Sequence, residues 1–208
     1  MSIFAKPSGA NAMKENEYGL KILFLHGLEG SPAGSKAEHL KERWSALCPG
    51  IRTQNMIKLK EELSGKWSNG SQDMIDDAIQ ESYRDALDAV KYANPDIIIG
   101  SSLGAALLFK LYTNDHFSGP GVLLAPAVPH LISPSKIAEG TSRLKDAHTT
   151  WILGELDTIV SNRRNAEIAK SVGGSLLYSP EDTHRLHKAL SSGLIDAAVL
   201  TSIESLGS

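Results

Sequence analysis

The 208-residue chain has a formal net charge of −3, 41% hydrophobic residues and 22% charged residues, the composition of an ordinary globular protein long enough to bury a core. The absence of a long basic run argues against a nucleic-acid partner, and no stretch approaches the ~20 apolar residues of a membrane span. The single cysteine, Cys48, excludes an internal disulfide, fits a reducing, cytoplasmic setting and reads as a small buried apolar residue.

Residues 1–19 lack the apolar centre of a secretion signal. They read as a flexible tail, with at most a short edge strand at its end, ahead of a single domain over residues 20–208. Residues 21–25, KILFL, are an apolar run too short for a helix and read as a buried strand. Residues 35–47 place Ala37, Leu40, Trp44 and Leu47 at helical spacing. Residues 51–57 are a candidate second strand, and residues 58–70 are polar and irregular, with Lys58, Lys60, Glu61 and Glu62 as a solvated run. Trp67 in that stretch is a candidate wall of a site. Residues 71–93 form a long helix with Met74, Ile75, Ala78, Ile79, Ala86, Leu87 and Val90 on one stripe, stopped at Asn94-Pro95. Residues 96–100, DIIIG, read as a strand buried on both faces. A helix over 103–112 and a strand over 121–125 follow. Residues 126–147 leave room for one short helix and loops, too little for a cap domain, with Pro129, His130, Leu131 and Ile132 as a pocket wall. Strands at 151–154 and 175–178 and helices at 162–172 and 185–206 complete the pattern. About six or seven strands alternating with helices predict a three-layer α/β/α fold around a mostly parallel sheet. Such sheets bind ligands beyond the carboxyl ends of their strands.

The residues with chemistry fall just after strands. GSSLG, Gly100 to Gly104, matches G-x-S-x-G with Ser102 at its centre, between an apolar strand and a helix. A serine raised on such a tight strand-to-helix turn stands clear of the sheet, and the flanking glycines keep side chains out of the turn. A serine needs a base oriented by an acid. Asp157 follows the strand at 151–154, and His184 follows the last strand, giving the chain order serine, acid, histidine. Glu155, Glu181 and Asp182 are possible substitutes for the acid. His187 is a rival for the base, but it falls inside the expected last helix, where helix geometry fixes its direction.

With LHG after the first strand, GSSLG, GELDTIV and DTHRL in this order, the sequence resembles the α/β-hydrolases of the small single-domain bacterial esterase type, from about residue 21 onward. The resemblance implies a Ser–His–Asp hydrolase built on Ser102, His184 and Asp157, with a small-molecule acyl substrate, no cofactor and no metal. It also implies an oxyanion hole made by the backbone N–H groups of Leu28, after the His26–Gly27 pair, and of Leu103, with His26 bracing the loop. A phosphate- or nucleotide-binding loop over Gly27–Lys36 is the competing reading. There Gly30 and Gly34 are four apart and Lys36 does not follow a glycine, so the G-x-x-x-x-G-K-[ST] register is absent. A binding protein on a hydrolase scaffold that has lost turnover also stays open. The sequence carries no signal for acyl length or oligomeric state.

Overall fold

A computed structural model describes residues 15–207, so the expected tail before residue 15 lies outside the described residues. The elements in chain order are β1 (Ile22–Leu25), α1 (Ser35–Trp44), α2 (Gln54–Glu62), a 3₁₀ turn (Trp67–Asn69), α3 (Gln72–Ala93), β2 (Ile97–Ser101) and α4 (Leu103–Thr113). They continue with β3 (Gly121–Leu124), α5 (Val128–Leu131), α6 (Pro134–Arg143), a second 3₁₀ turn (Leu144–Asp146), β4 (Thr149–Gly154), α7 (Asn162–Ser171), β5 (Ser175–Ser179), α8 (His187–Ser191) and α9 (Leu194–Glu204).

The strands form one parallel sheet of five, in the order β1-β2-β3-β4-β5, rather than the six or seven expected. The difference lies at residues 51–57. Met56, Leu59 and Leu63 bury at helical spacing, so the chain turns into α2 there. Beside β1 only a parallel bridge at Leu47 remains, with Leu47 N donating to Ile22 O and Phe24 N donating to Leu47 O, both at 2.8 Å. Other boundaries also shift. Residues 126–147 hold two helices, and the last helix breaks at Gly193, whose φ is 75°. Met74, expected on the buried stripe of α3, is exposed.

Strand side chains alternate between two cores. Leu23, Leu25, Ile98, Leu123 and Trp151 pack with α3, α4 and α7, while Ile22, Phe24, Ile97, Ile99, Val122, Leu124 and Ile152 pack with α1, α8 and α9. Topology explains this division. Strands that advance in one direction through right-handed crossovers lay their connecting helices on one face. The other face is covered by α1, which leads from β1 to the Leu47 bridge at the edge of the sheet before the chain crosses to β2, and by the helices after β5. These meet at Asp196 of α9, whose carboxylate bonds His39 Nε2 at 2.8 Å and Trp44 Nε1 at 2.7 Å. Among the described residues no helix is long and apolar enough to cross a membrane.

Candidate active site

β2 passes into α4 through Ser102, whose backbone sits at φ 54°, ψ −109°. Few side chains adopt such a conformation, at a cost of about 1–3 kcal/mol. The surrounding backbone over-determines it. Ser102 N donates to Leu124 O at 2.8 Å, and Ser102 O accepts from the N–H groups of Ala105, Ala106 and Ala127 at 3.1, 3.1 and 3.2 Å. The flanking glycines are required by packing. A Cβ at Gly100 would lie 2.6 Å from Ala105 Cα, and one at Gly104 would overlap the Leu25 carbonyl. Bare backbone at these positions lets α4 start directly against β1 and β2.

Asp157 lies in the loop after β4, and its carboxylate is fully enclosed. Its Oδ1 accepts from Ile159 N at 2.8 Å and Val160 N at 3.1 Å, and its Oδ2 meets His184 Nδ1 at 2.8 Å. The other ring nitrogen, Nε2, lies 2.8 Å from Ser102 Oγ. With a carboxylate at Nδ1, that nitrogen carries the hydrogen and Nε2 turns its lone pair to the hydroxyl. Burial alone would push the Asp157 carboxyl up. The hydrogen bond and charge of His184, with the two N–H groups, outweigh burial and hold it below the ordinary carboxylate value.

The other acids do different work. Glu155 and Glu181 are exposed, and Glu181 pairs with Lys188 at 2.6 Å. Asp182 is buried and accepts from Ser179 Oγ at 2.9 Å, Ala189 N at 2.8 Å and Thr183 N at 3.0 Å, so it staples the histidine loop to α8. His187, expected one turn inside a helix, opens α8 instead and is exposed at the cavity rim.

The loop after β1 closes the site from the other side. Ile51 N donates to His26 Nε2 at 3.0 Å, which leaves the proton on Nδ1, and Nδ1 donates to Gly27 O at 2.8 Å. Burial pulls His26 below the ordinary histidine value, partly opposed by the bond to Gly27, so the ring is neutral at pH 7. Gly27 lies against the serine turn. A Cβ there would sit 3.2 Å from Ser101 O and 3.3 Å from Ser102 Cβ. Leu28 and Leu103 line the same cavity, and among the described residues neither N–H donates a hydrogen bond.

The cavity holds about 360 Å³. Trp67, His130 and Leu131 line it, whereas Pro129 and Ile132 face a second depression beside α6 and α7. Lys60, expected in a solvated run, also lines the cavity and pairs with Glu29 at 2.8 Å. Met56, Val160, Arg185 and Lys36 also line it, and of these the sequence had singled out only Lys36, in the phosphate-loop reading. Met56 was legible only through the helical phase of α2, and Lys36 stood out only as the lysine of a phosphate loop whose register is absent. Among the described residues no group of three His, Cys, Asp or Glu side chains is placed to hold a metal ion.

No protein-family model matches the sequence, and no curated protein matches it. Solved structures do. Est1E from Butyrivibrio proteoclasticus is similar at a TM-score of 0.64 and 13% identity, over 95% of this chain and 91% of its own. An alpha-beta serine hydrolase homologue from Coxiella burnetii is similar at 0.60 and 14%, over 90% and 86%. A structure from work on LipS and LipT, two metagenome-derived lipolytic enzymes, gives 0.60 and 14%, over 88% and 93%. The chain has the α/β-hydrolase fold. In the α/β-hydrolase fold the nucleophile turn, acid loop and histidine loop stand at the carboxyl end of the sheet in that chain order. Ser102, Asp157 and His184 occupy these places.

Proposed function

We propose that this chain is a serine hydrolase cleaving a small carboxylic ester, or a thioester, through an acyl-enzyme on Ser102. The observation that carries the reading is the unbroken Asp157–His184–Ser102 relay, with both links at 2.8 Å, at a strained strand-to-helix turn. His184 Nε2 takes the Ser102 proton as Oγ attacks the acyl carbonyl, and Asp157 orients the ring and balances its charge. The N–H groups of Leu28 and Leu103 hold the resulting oxyanion. Loss of one such donor typically raises a barrier by about 2.7–4 kcal/mol. His184 then protonates the leaving oxygen or sulfur, and water repeats the sequence to free the acid.

The likeness to Est1E and to the lipolytic-enzyme structure supports the ester class, and one solved form of Est1E holds ferulic acid. The size of the cavity favours short or medium acyl groups. Activity should peak within a p-nitrophenyl ester series at acyl lengths on the order of C2–C8, matched to a pocket of this volume, and Ser102→Ala should abolish it. Faster cleavage of long-chain triglycerides, or full turnover by Ser102→Ala, would contradict the proposal.

A further inference from the structure

The lining of the cavity divides by chemistry. Met56, Trp67 and Leu131 supply an apolar wall, whereas Lys36, Arg185 and His187 line the cavity together with His184. Arg185 directly follows His184 in the chain, and Lys36 Nζ reaches across from the start of α1 to donate to Arg185 O at 2.6 Å. Among the described residues Glu29 is the one carboxylate lining the cavity, and it pairs with Lys60 at 2.8 Å and with Arg185 at 3.7 Å. Lys36 has no such partner. Among the described residues its ammonium makes no ion pair, and its single hydrogen bond, to a neutral carbonyl, leaves two N–H donors over. Burial holds the Lys36 ammonium below the ordinary lysine value; Asp182 opposes this from a distance, but its own carboxylate is occupied by Ser179, Thr183 and Ala189. The half-buried ammonium therefore lines the cavity with donors free to take up an anion. This positive flank belongs to a chain whose overall charge is −3, so it is a local feature.

We propose that the substrate carries an anionic leaving group, a carboxylate or phosphate seated between the Lys36 ammonium and the Arg185 guanidinium. The proposal rests on the hydrolase reading of Ser102. His184 delivers its proton to the departing oxygen, so the departing part lies on the histidine's flank, where these cations stand. Ammonium and guanidinium groups give such anions charge-assisted hydrogen bonds, with the guanidinium able to bind in bidentate fashion. The neutral acyl part then faces Met56, Trp67 and Leu131.

The test compares 4-acetoxybenzoate and 4-acetoxyphenyl phosphate with the neutral 4-acetoxybenzamide, measuring kcat/KM at low and high salt. The expected result is a preference for at least one anionic ester of about tenfold or more at low salt, shrinking as salt screens the field. Comparing the two anionic arms separates carboxylate from phosphate. Arg185→Gln and Lys36→Gln should each lower the ratio of anionic to neutral ester by about threefold or more, and Lys36→Arg should restore it. If all three esters are cleaved alike in a Ser102-dependent reaction, the anionic subsite is wrong and the hydrolase reading stands. If none is cleaved and no fluorophosphonate adduct forms on Ser102, both fall.

Discussion

Leu156 donates its N–H to the Asp182 carbonyl at 2.8 Å and so ties the loop carrying Asp157 to the loop carrying His184. The two loops touch backbone to backbone. A Cβ on Gly154 would fall 2.5 Å from Thr183 O, so that position too excludes a side chain. The spacing of acid and histidine is therefore set by the scaffold, and Asp182, with its own carboxylate fully engaged, is a fastener of that scaffold.

Asp182→Ala should accordingly cost about 1–3 kcal/mol of stability, because it strands the buried N–H of Ala189 and removes the acceptor of the part-buried N–H of Thr183. Ester turnover should fall at least about tenfold, equivalent to 1.4 kcal/mol of barrier, although Asp182 does not touch His184. Urea denaturation together with kcat on the folded fraction checks both numbers. Unchanged stability would show that the staple is dispensable.

His184 and His187 should behave differently. His184→Ala should lose several orders of magnitude in kcat, since the remaining oxyanion donors and binding contacts act without a base. His187→Ala should lose no more than about tenfold on a neutral p-nitrophenyl ester, because its ring is exposed at the rim and bonds neither Ser102 nor Asp157. A reversal of the two outcomes would assign the wrong histidine as base.

Much of this site was legible because each part is local. Gly100, Ser102 and Gly104 announce their turn within five residues, between a continuous apolar run and a helix. Asp157 and His184 were placed by the rule that loops at the carboxyl ends of parallel strands converge. The misread segment, residues 51–57, has Ile51, Met56 and Ile57 in a window too short to fix a period. The helical phase emerges only with Leu59 and Leu63, and Ile57 turns outward at 37% exposure. The pairing of Lys36 with Arg185 was illegible for a different reason. Lys36, the second residue of α1, stands out only against a phosphate-loop register it does not fit, and its partner Arg185 lies 149 positions away. Only the stacking of α1 against the helices after β5 brings them together.

Ser102→Gly and Ser102→Ala separate strain from chemistry. Both should abolish turnover. Alanine keeps the Cβ and the strained backbone, whereas glycine relieves it. Ser102→Gly should therefore be more stable than Ser102→Ala by about 1 kcal/mol, the strain relief less the added freedom of the unfolded chain. Equal stability in thermal or chemical denaturation would show that the turn stores no strain.

Buried His26 and half-buried His130 set a pH signature. His26 and His130 are both held below the ordinary histidine value of 6.5 by burial, each partly opposed by a backbone hydrogen bond. Below that pH the unfolded chain takes protons that the native rings resist. Their stabilising contribution is thus complete above 6.5 and is lost as pH falls through the native values. Asp157 and Asp182 are held below the ordinary carboxylate value of 3.8, so their contribution persists until pH falls below it. Stability should already decline as pH falls below 6.5, and His26→Asn should flatten that decline while lowering stability overall. A flat profile in this window would show that His26 titrates as in water.

The most direct test of the proposed acyl-enzyme chemistry is mass-spectrometric mapping of a fluorophosphonate adduct on the folded protein. A nucleophile bonded to His184 Nε2 at 2.8 Å should take up the probe as a single covalent adduct on Ser102. Labelling should vanish in Ser102→Ala and slow by orders of magnitude in His184→Ala. An adduct on any other residue, or none on protein shown to be folded, would contradict the assignment of Ser102 as the nucleophile.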